Sequence, residues 1–455
     1  MPTFSFETIT AAEALAVRGG DAVQVSSGTA IETTVIYDPN DRVIVTIAGR
    51  SVTFAAVFSQ VATIPGGQFT YADGSLLFVG DTLGNTVMLP SGATGAAYGG
   101  GGDDSFSSSD GRWLVQGNAG GDTIDLRGGN NVAYGGQDGD RIIFGGSDGR
   151  ASTGGNFGQA NKGEDSLAGS TSNDTLLGGQ GNDTVDGRGG VDFINGNLGD
   201  DRMTGAGLIL GEGGNDTLTG GTAGAVTLMG GDDNDRINIV SATEGGVRVA
   251  VGVFASGDAG DDVLESTGPL NDTLMGGAGN DVIIGAGNDP GRGDVMDGGD
   301  GDDALSARGG ANLLRGGAGN DSLQGDTGGD TIDGGPGEDR MEGGAGADLF
   351  ILRDGLAGPA LTSIFADRII DWSSADHISL RVAGAPGYVE TSDPDYQAAV
   401  VEAQDLISRG AVEVVAVQVG GDVLLFADGS AANTIFTATI LVGRTLADIS
   451  ADNFI

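Results

Sequence analysis

The chain has 455 residues, 89 of them glycine and none cysteine, and its net charge of −43 comes from 21 basic against 64 acidic side chains. That balance excludes nucleic acid as a partner, since neutralising phosphate needs Lys and Arg. The missing cysteines exclude disulfides and thiolate metal sites.

So much glycine costs backbone entropy, and so much charge of one sign repels itself in a compact state. Composition alone therefore describes an acidic disordered chain. Yet 38% of the residues are apolar and they recur on a schedule, so the chain can fold once something cancels the charge. Divalent cations suit that task, and on the order of twenty would do it. No run of about eighteen apolar residues occurs, so no transmembrane helix is expected. The first ten residues lack the basic and apolar regions of a signal peptide. Any export is expected to use a route that does not read the N-terminus.

Residues 1–80 are expected to form a small β-rich domain, or a cap on the open end of a repeat structure. Thr10 can cap a short helix over 10–17. The β-branched runs 33–37, 42–48 and 51–58 read as a meander, with a turn at Asp38-Pro-Asn-Asp41. A nine-residue period then takes over from 81 to 351. It is faint at 81–89 and clear from 99, with Asp104, Asp122 and Asp140 at the sixth position of their units. A break at 144–159 precedes five units in phase, carrying Asp165, Asp174, Asp183, Asp192 and Asp201. From 205 to 288 the period is interrupted, and isolated units carry Asp216, Asp235, Asp262, Asp272 and Asp281. Within that stretch 239–256 has the length of two units but no turn glycines, and is expected to be β-structure in the stack without an ion-binding turn. Residues 289–351 are seven units without a gap, with Asp294, Asp303, Asn312, Asp321, Asp330, Asp339 and Asp348 at position six. After 351 the reading gives short strands at 367–372 and 376–381, a helix at 396–408, and strands at 412–419, 423–427 and 434–442.

In register a unit reads G-G-x-G-x-D-x-U-x with U apolar, as in Gly316-Gly-Ala-Gly-Asn-Asp321-Ser-Leu-Gln. A fixed short period is the signature of a solenoid. Glycines at positions one, two and four permit a tight turn with inward carbonyls, and the last three residues make a short strand with U in the core. Ca²⁺ needs six to eight oxygens from carboxylates and carbonyls, and the turn offers both. The nineteen position-six aspartates named above are the expected ligands. With them go the turn glycines Gly178, Gly181, Gly276, Gly279, Gly298, Gly301, Gly316, Gly319, Gly334, Gly337, Gly343 and Gly346. Two units make one coil, so residues eighteen apart stack: Asp303 over Asp321 over Asp339, and Asp330 over Asp348. Units with Asn131 or Asn312 at position six are expected to bind nothing. Roughly fourteen coils rising about 4.8 Å each would make a rod of about 65 Å.

Over residues 99–351 these units resemble the RTX (repeats-in-toxin, hemolysin-type) calcium-binding family. The resemblance implies an all-β fold, a right-handed parallel β-roll that is unfolded at low calcium and folds outside the cell. It also implies export from Gram-negative bacteria through a type I secretion apparatus that reads an uncleaved C-terminal signal. Asp367-Arg-Ile-Ile-Asp-Trp-Ser-Ser-Ala-Asp-His-Ile-Ser-Leu is similar to the segment after the roll in serralysin-like proteins, and the closing Asp452-Asn-Phe-Ile resembles their C-termini. Residues 352–455 are accordingly expected to be a mainly β C-terminal domain with one helix and the secretion signal.

Catalytic motifs are sparse. A zinc protease needs His-Glu-x-x-His, and His377 is the only histidine. Gly145-Gly-Ser147-Asp-Gly149 spells G-x-S-x-G but lies in a glycine repeat, not in the strand–turn–helix that a nucleophile elbow requires. Arg292-Gly-Asp294 spells an adhesion tripeptide whose aspartate already belongs to a repeat. Paired carboxylates for glycoside hydrolysis cannot be singled out among so many aspartates. The reading is a non-enzymatic calcium-binding structural protein, extracellular or at the cell surface, that self-associates in a surface layer, biofilm matrix or filament. Its alternatives are an adhesin or effector whose N-terminal domain binds a ligand such as cell-surface polysaccharide, and an unrecognised hydrolase.

Overall fold

The computed structural model describes residues 3–17, 22–37, 42–54, 69–145, 154–221, 224–240, 243–244, 247–248, 252–268, 271–285, 287, 292–352, 366–380, 387–393, 395–410, 412–428 and 437–455. Ser147 and the turn at 38–41 lie outside them. The chain is mostly β, 52% strand and 6% helix, with about 16 solenoid turns. It divides into two compact units, Met1–Val226 and Thr227–Ile455. Among the described residues no helix is long and apolar enough to cross a membrane.

In the first unit each coil places one strand in each of two parallel ladders. The first ladder stacks Thr94–Gly100, Arg112–Ala119, Val132–Gln137, Phe157–Lys162, Thr175–Gln180, Asp192–Leu198 and Gly207–Gly213. The second stacks Thr86–Leu89, Ser105–Ser108, Thr123–Leu126, Arg141–Phe144, Ser166–Ala168, Thr184–Asp186, Arg202–Gly205 and Thr217–Gly220. Alternation along each strand sends the apolar residue of the unit inward. Leu167, Val185, Met203 and Leu218 thus lie over one another, fully buried. The first eighty residues continue the first ladder: Leu76–Val79 pairs with Thr94–Gly100, and Phe69–Tyr71, Ala22–Val25 and Thr3–Ser5 follow outward. A three-stranded antiparallel meander, Thr34–Tyr37, Val43–Ile47 and Arg50–Phe54, packs on this extension. Arg50 ties the two together, donating to the carbonyls of Phe6 and Ile9 from above the Phe6 ring. The short helix Ala11–Ala14 carries a Thr10–Glu13 capping box.

The second unit repeats the plan. Its first ladder runs Val226–Asp232, Phe254–Ala259, Thr273–Ala278, Val295–Asp300, Leu313–Ala318, Thr331–Asp333, Leu349–Ile351 and His377–Ser379. The second runs Arg236–Ile239, Val263–Ser266, Val282–Ile284, Ala304–Ser306, Ser322–Gln324, Arg340–Glu342 and Asp367–Ile369. Coil pairing thus runs past residue 351. Thr437–Leu441, Asp422–Ala427, Val414–Val419 and Tyr388–Asp393 extend the second ladder, and the helix Tyr396–Ser408 covers them. That helix has the bounds read from the sequence, with Asp395 as its N-cap.

One expectation is corrected in part. Of residues 239–256, Ile239 and 254–256 lie in ladder strands, but Thr243–Glu244 and Val247–Arg248 form a separate antiparallel pair instead of joining the stack. The ladders step past them, from Thr227 to Phe254 and from Arg236 to Val263. Both steps are 27 residues, one nonapeptide more than a coil.

Candidate metal centre

The position-six aspartates precede the ladder strands and form a column on each edge of the roll. All nineteen are buried, at 4% exposure or less. On the edge leading into the second ladder, each backbone N–H donates to Oδ1 of the aspartate one coil on. In the first unit the chain of bonds runs Asp104–Asp122–Asp140–Asp165–Asp183–Asp201–Asp216, at 2.6–2.9 Å. In the second it runs Asp235–Asp262–Asp281–Asp303–Asp321–Asp339, at 2.7–2.9 Å, and ends on Asp367 at 3.2 Å. Oδ1 thereby fixes the register between coils.

The other oxygen has a different environment. Oδ2 of Asp104, Asp122, Asp140, Asp165, Asp183, Asp201, Asp262, Asp281, Asp303, Asp321 and Asp339 is buried and accepts no hydrogen bond. A buried carboxylate oxygen in that condition costs free energy unless a cation meets it. The space beside it is kept open by the position-one glycine. A Cβ on Gly316 would lie 2.1 Å from Asp321 Oδ2 and 2.4 Å from the carbonyl oxygen of Gly334, one coil on. The same two oxygens converge beside Gly298 (2.2 Å to Asp303, 2.4 Å to Gly316 O), Gly276 (2.1 and 2.5 Å) and Gly178 (2.3 and 2.8 Å). Gly334 and Gly343 show the carboxylate side of this arrangement, at 2.2 and 2.4 Å from Asp339 and Asp348 Oδ2. A carboxylate oxygen and a glycine carbonyl aimed into one small space are the donor chemistry of a hard cation.

The position-four glycines have another task. Gly181, Gly279, Gly301, Gly319 and Gly337 hold positive φ, and a Cβ there would strike the carbonyl of the preceding coil, at 1.9 Å in the case of Gly319 and Gly301. Gly346 meets Gly328 in the same way. These glycines let coils stack.

Electrostatics agrees with the geometry. Burial pushes the Asp321 carboxyl up to about 7, opposed by the Asp303 N–H and reinforced by the charges of Asp339 and Asp303. Burial likewise pushes Asp104 and Asp183 to about 7 and Asp140 to about 8. Without a cation these columns resist ionisation near neutral pH. Among the described residues no three acidic or imidazole groups gather in one conventional cluster. Carboxylates arrive one per turn, near backbone carbonyls.

The edge leading into the first ladder differs. In the first unit Asn131 and Asn156 occupy position six, and their side-chain amides donate to Asn156 and Asp174 Oδ1 at 3.3 and 2.9 Å. Asp174 Oδ2 is taken by Ser170, from its N–H at 2.6 Å and its hydroxyl at 2.9 Å. In the second unit Ser266 donates to Asp272 Oδ2 at 2.5 Å, and Asn312 donates to Asp330 Oδ1 at 3.0 Å. Oδ2 of Asp192, Asp330 and Asp348 accepts no hydrogen bond. The column closes on Asp376, which accepts from Asp348 N–H at 3.1 Å.

Against models of known families, the chain matches the RTX calcium-binding nonapeptide repeat. The matched residues are 151–185, 159–194, 168–203, 210–238, 266–289, 291–323 and 315–350. These are RTX calcium-binding repeats. No curated protein matches the chain. RTX repeats bind calcium, several ions per repeat region, and the oxygens just described are the ones this roll can offer. Bound calcium would supply positive charge between carboxylates that otherwise repel.

Two sets of residues escaped the sequence reading. Asp367 and Asp376 continue the columns beyond the last repeat, and Asp371 caps the N–H groups of Gly343 (3.0 Å) and Gly344 (2.6 Å). A second ladder runs at position five beside the second-ladder edge. There Asp261 N–H donates to Asn234, Asn280 to Asp261, Asp302 to Asn280, Asn320 to Asp302 and Glu338 to Asn320. Asn and acid alternate, so like charges fall two coils apart. Elsewhere, Asp294 of the Arg-Gly-Asp tripeptide is turned into the roll, where it accepts from Asp272 N–H at 2.9 Å. His377 opens a ladder strand, its N–H donating to the Asp348 carbonyl.

Proposed function

We propose that this is a non-enzymatic, secreted structural protein whose β-roll folds on meeting extracellular calcium. The observation that carries the reading is the column of buried aspartates on the second-ladder edge, where Oδ2 from Asp104 to Asp201 and from Asp262 to Asp339 accepts no hydrogen bond and, at Asp183, Asp281, Asp303 and Asp321, lies beside a glycine carbonyl. Such a column is costly in a calcium-poor cytosol and stable where calcium is millimolar, because metal binding and folding draw on the same free energy. Export unfolded and folding outside follow naturally, and RTX proteins are typically secreted by type I systems. Residues 352–455 are assigned as the C-terminal domain with the secretion signal, and residues 1–80 as a cap on the roll. The continuation of the first ladder into Leu76–Val79, Phe69–Tyr71, Ala22–Val25 and Thr3–Ser5 supports the cap.

The extracellular role assigned is a component of a surface layer, biofilm matrix or filament, built by self-association. Repeat stacks with open edge strands suit it, since such edges template further pairing. Negative-stain microscopy of the full chain in millimolar calcium tests this, with filaments or lattices expected. Uniform monomers at every concentration would overturn the assembly role. An adhesin role has one feature in its favour, a hollow of about 320 Å³ lined by Glu7, Gln24, Ser26 and Thr70. Binding of the full chain to a polysaccharide array, abolished by Thr70→Trp, would favour that role over assembly.

A further inference from the structure

We infer that the two edges of the roll load calcium unequally: the edge leading into the second ladder holds it from Asp104 to Asp201 and from Asp262 to Asp339, whereas the other edge closes its turns at Asn131, Asn156, Asp174 and Asp272 without it. This rests on the calcium reading and specifies where the ions go.

Four observations carry it. First, Oδ2 accepts no hydrogen bond at Asp104, Asp122, Asp140, Asp165, Asp183 and Asp201 in the first unit. The same holds at Asp262, Asp281, Asp303, Asp321 and Asp339 in the second. All of these lie on the second-ladder edge. Second, the opposite turns supply their own protons. Ser170 gives Asp174 Oδ2 both an N–H and a hydroxyl, and Ser266 gives Asp272 Oδ2 a hydroxyl at 2.5 Å. A lone pair engaged by O–H is not available to a cation. Third, the amides of Asn131 and Asn156 bring –NH₂ donors where a carboxylate would stand. They carry no charge to attract a cation, and they satisfy the next residue in the column.

Fourth, the turn itself is different. Ser170 and Ser172 replace the glycines of positions two and four in the unit that carries Asp174. Its Oδ2 also lies 2.9 Å from the site of a Gly169 Cβ, against 2.3 Å at Gly178 for Asp183. In the second unit the position-five ladder of Asn and acid runs beside the second-ladder edge, which concentrates negative field where the oxygens lack partners. On the first-ladder edge, Asp192, Asp330 and Asp348 retain an Oδ2 that accepts no hydrogen bond. That edge therefore loads at its far coils in each unit.

The test counts calcium per folded full-length chain, by native mass spectrometry after equilibration in calcium, with circular dichroism as the folding control. Asp183→Asn and Asp281→Asn are each expected to lose at least one ion. Asp174→Asn and Asp272→Asn, one turn away on the opposite edge, are expected to retain the full number. Equal losses on both edges would overturn the inference. Anomalous scattering from crystals of the calcium-loaded wild-type chain gives a second reading that needs no variant. Calcium peaks are expected beside Asp183 and Asp281, and a peak beside Asp174 or Asp272 would overturn the assignment. A wild-type chain that binds no calcium would instead remove the reading on which this one rests.

Discussion

The backbone N–H of Asp303 donates to Oδ1 of Asp321 across 2.9 Å, while Oδ2 of the same Asp321 is buried with no hydrogen bond. One carboxylate thus performs two tasks. One oxygen sets the register of adjacent coils, and the other lies near the carbonyl of Gly334, where the proposed calcium would sit. In the proposed reading, stacking and metal binding are coupled through a single side chain.

Asp321→Asn separates those tasks. The amide oxygen can still accept from Asp303, so the coil keeps its register, but the negative charge is gone. The expected result is a fold with the same circular dichroism at saturating calcium and a midpoint shifted to higher calcium. The cost is about 1–3 kcal/mol, as for a lost charged partner. Asp321→Ala also removes the acceptor, and a calcium titration should show it shifted further.

Gly316→Ala places a methyl group 2.1 Å from Asp321 Oδ2 and 2.4 Å from Gly334 O, in the space where the two oxygens converge. It is expected to destabilise the calcium-loaded roll by about 1–3 kcal/mol, the usual cost of overpacking. Gly421→Ala, where nothing lies within 4 Å, should fall within about 0.5 kcal/mol of the parent. Thermal melts in saturating calcium compare the two.

Leu314 is fully buried and stacked between Met296 and Ile332 in the first ladder. Leu314→Ala should cost about 2–5 kcal/mol. Because each coil contacts only its neighbours, hydrogen exchange should quicken most around 295–333 and least in distant coils.

The carboxyls at Asp104, Asp140 and Asp321 are raised from the usual 3.8 to about 7 or 8. A group raised in the folded state contributes stability below its unfolded value and loses it as pH climbs through the folded value. The calcium-free roll should therefore weaken between about pH 4 and 8, and calcium-free protein should show more β signal at pH 5.5 than at pH 8. Calcium binding needs the ionised form, so its apparent affinity should move the opposite way and fall on acidification. Circular dichroism and calcium titration at the two pH values check both signs.

Much of this was legible in the sequence, because a strict period constrains one residue at a time. The apolar position of each unit identifies Leu305, Leu323 and Met341 as core, and the sixth position identifies the aspartate columns. The helix at 396–408 was equally plain, with Asp395 before it and Gly410 after it. What stayed hidden lies where the period breaks. Asn156 continues the column from within the gap at 144–159, seven residues further on than a regular coil would place it. Asp216 follows Asp201 after 15 residues, and Asp303 follows Asp281 after 22. Corners can shorten or bulge between ladder strands without turning any side chain to the wrong face, so spacing alone undercounts the coils. Position five reads as variable in any single unit, and its alternation of Asn and acid has meaning only once coils stack. Ser170 and Ser266 look like lapses from the glycine pattern, yet they supply the protons that the neighbouring carboxylates accept.

The central claim is that calcium is required for the roll to fold, and the most direct test is far-ultraviolet circular dichroism of the full chain at pH 7.5. The spectrum is recorded in excess chelator and then through a calcium titration into the millimolar range. The account predicts a largely unfolded spectrum in chelator and a cooperative, reversible rise of β signal with calcium. A chain equally folded in chelator and in calcium would contradict it.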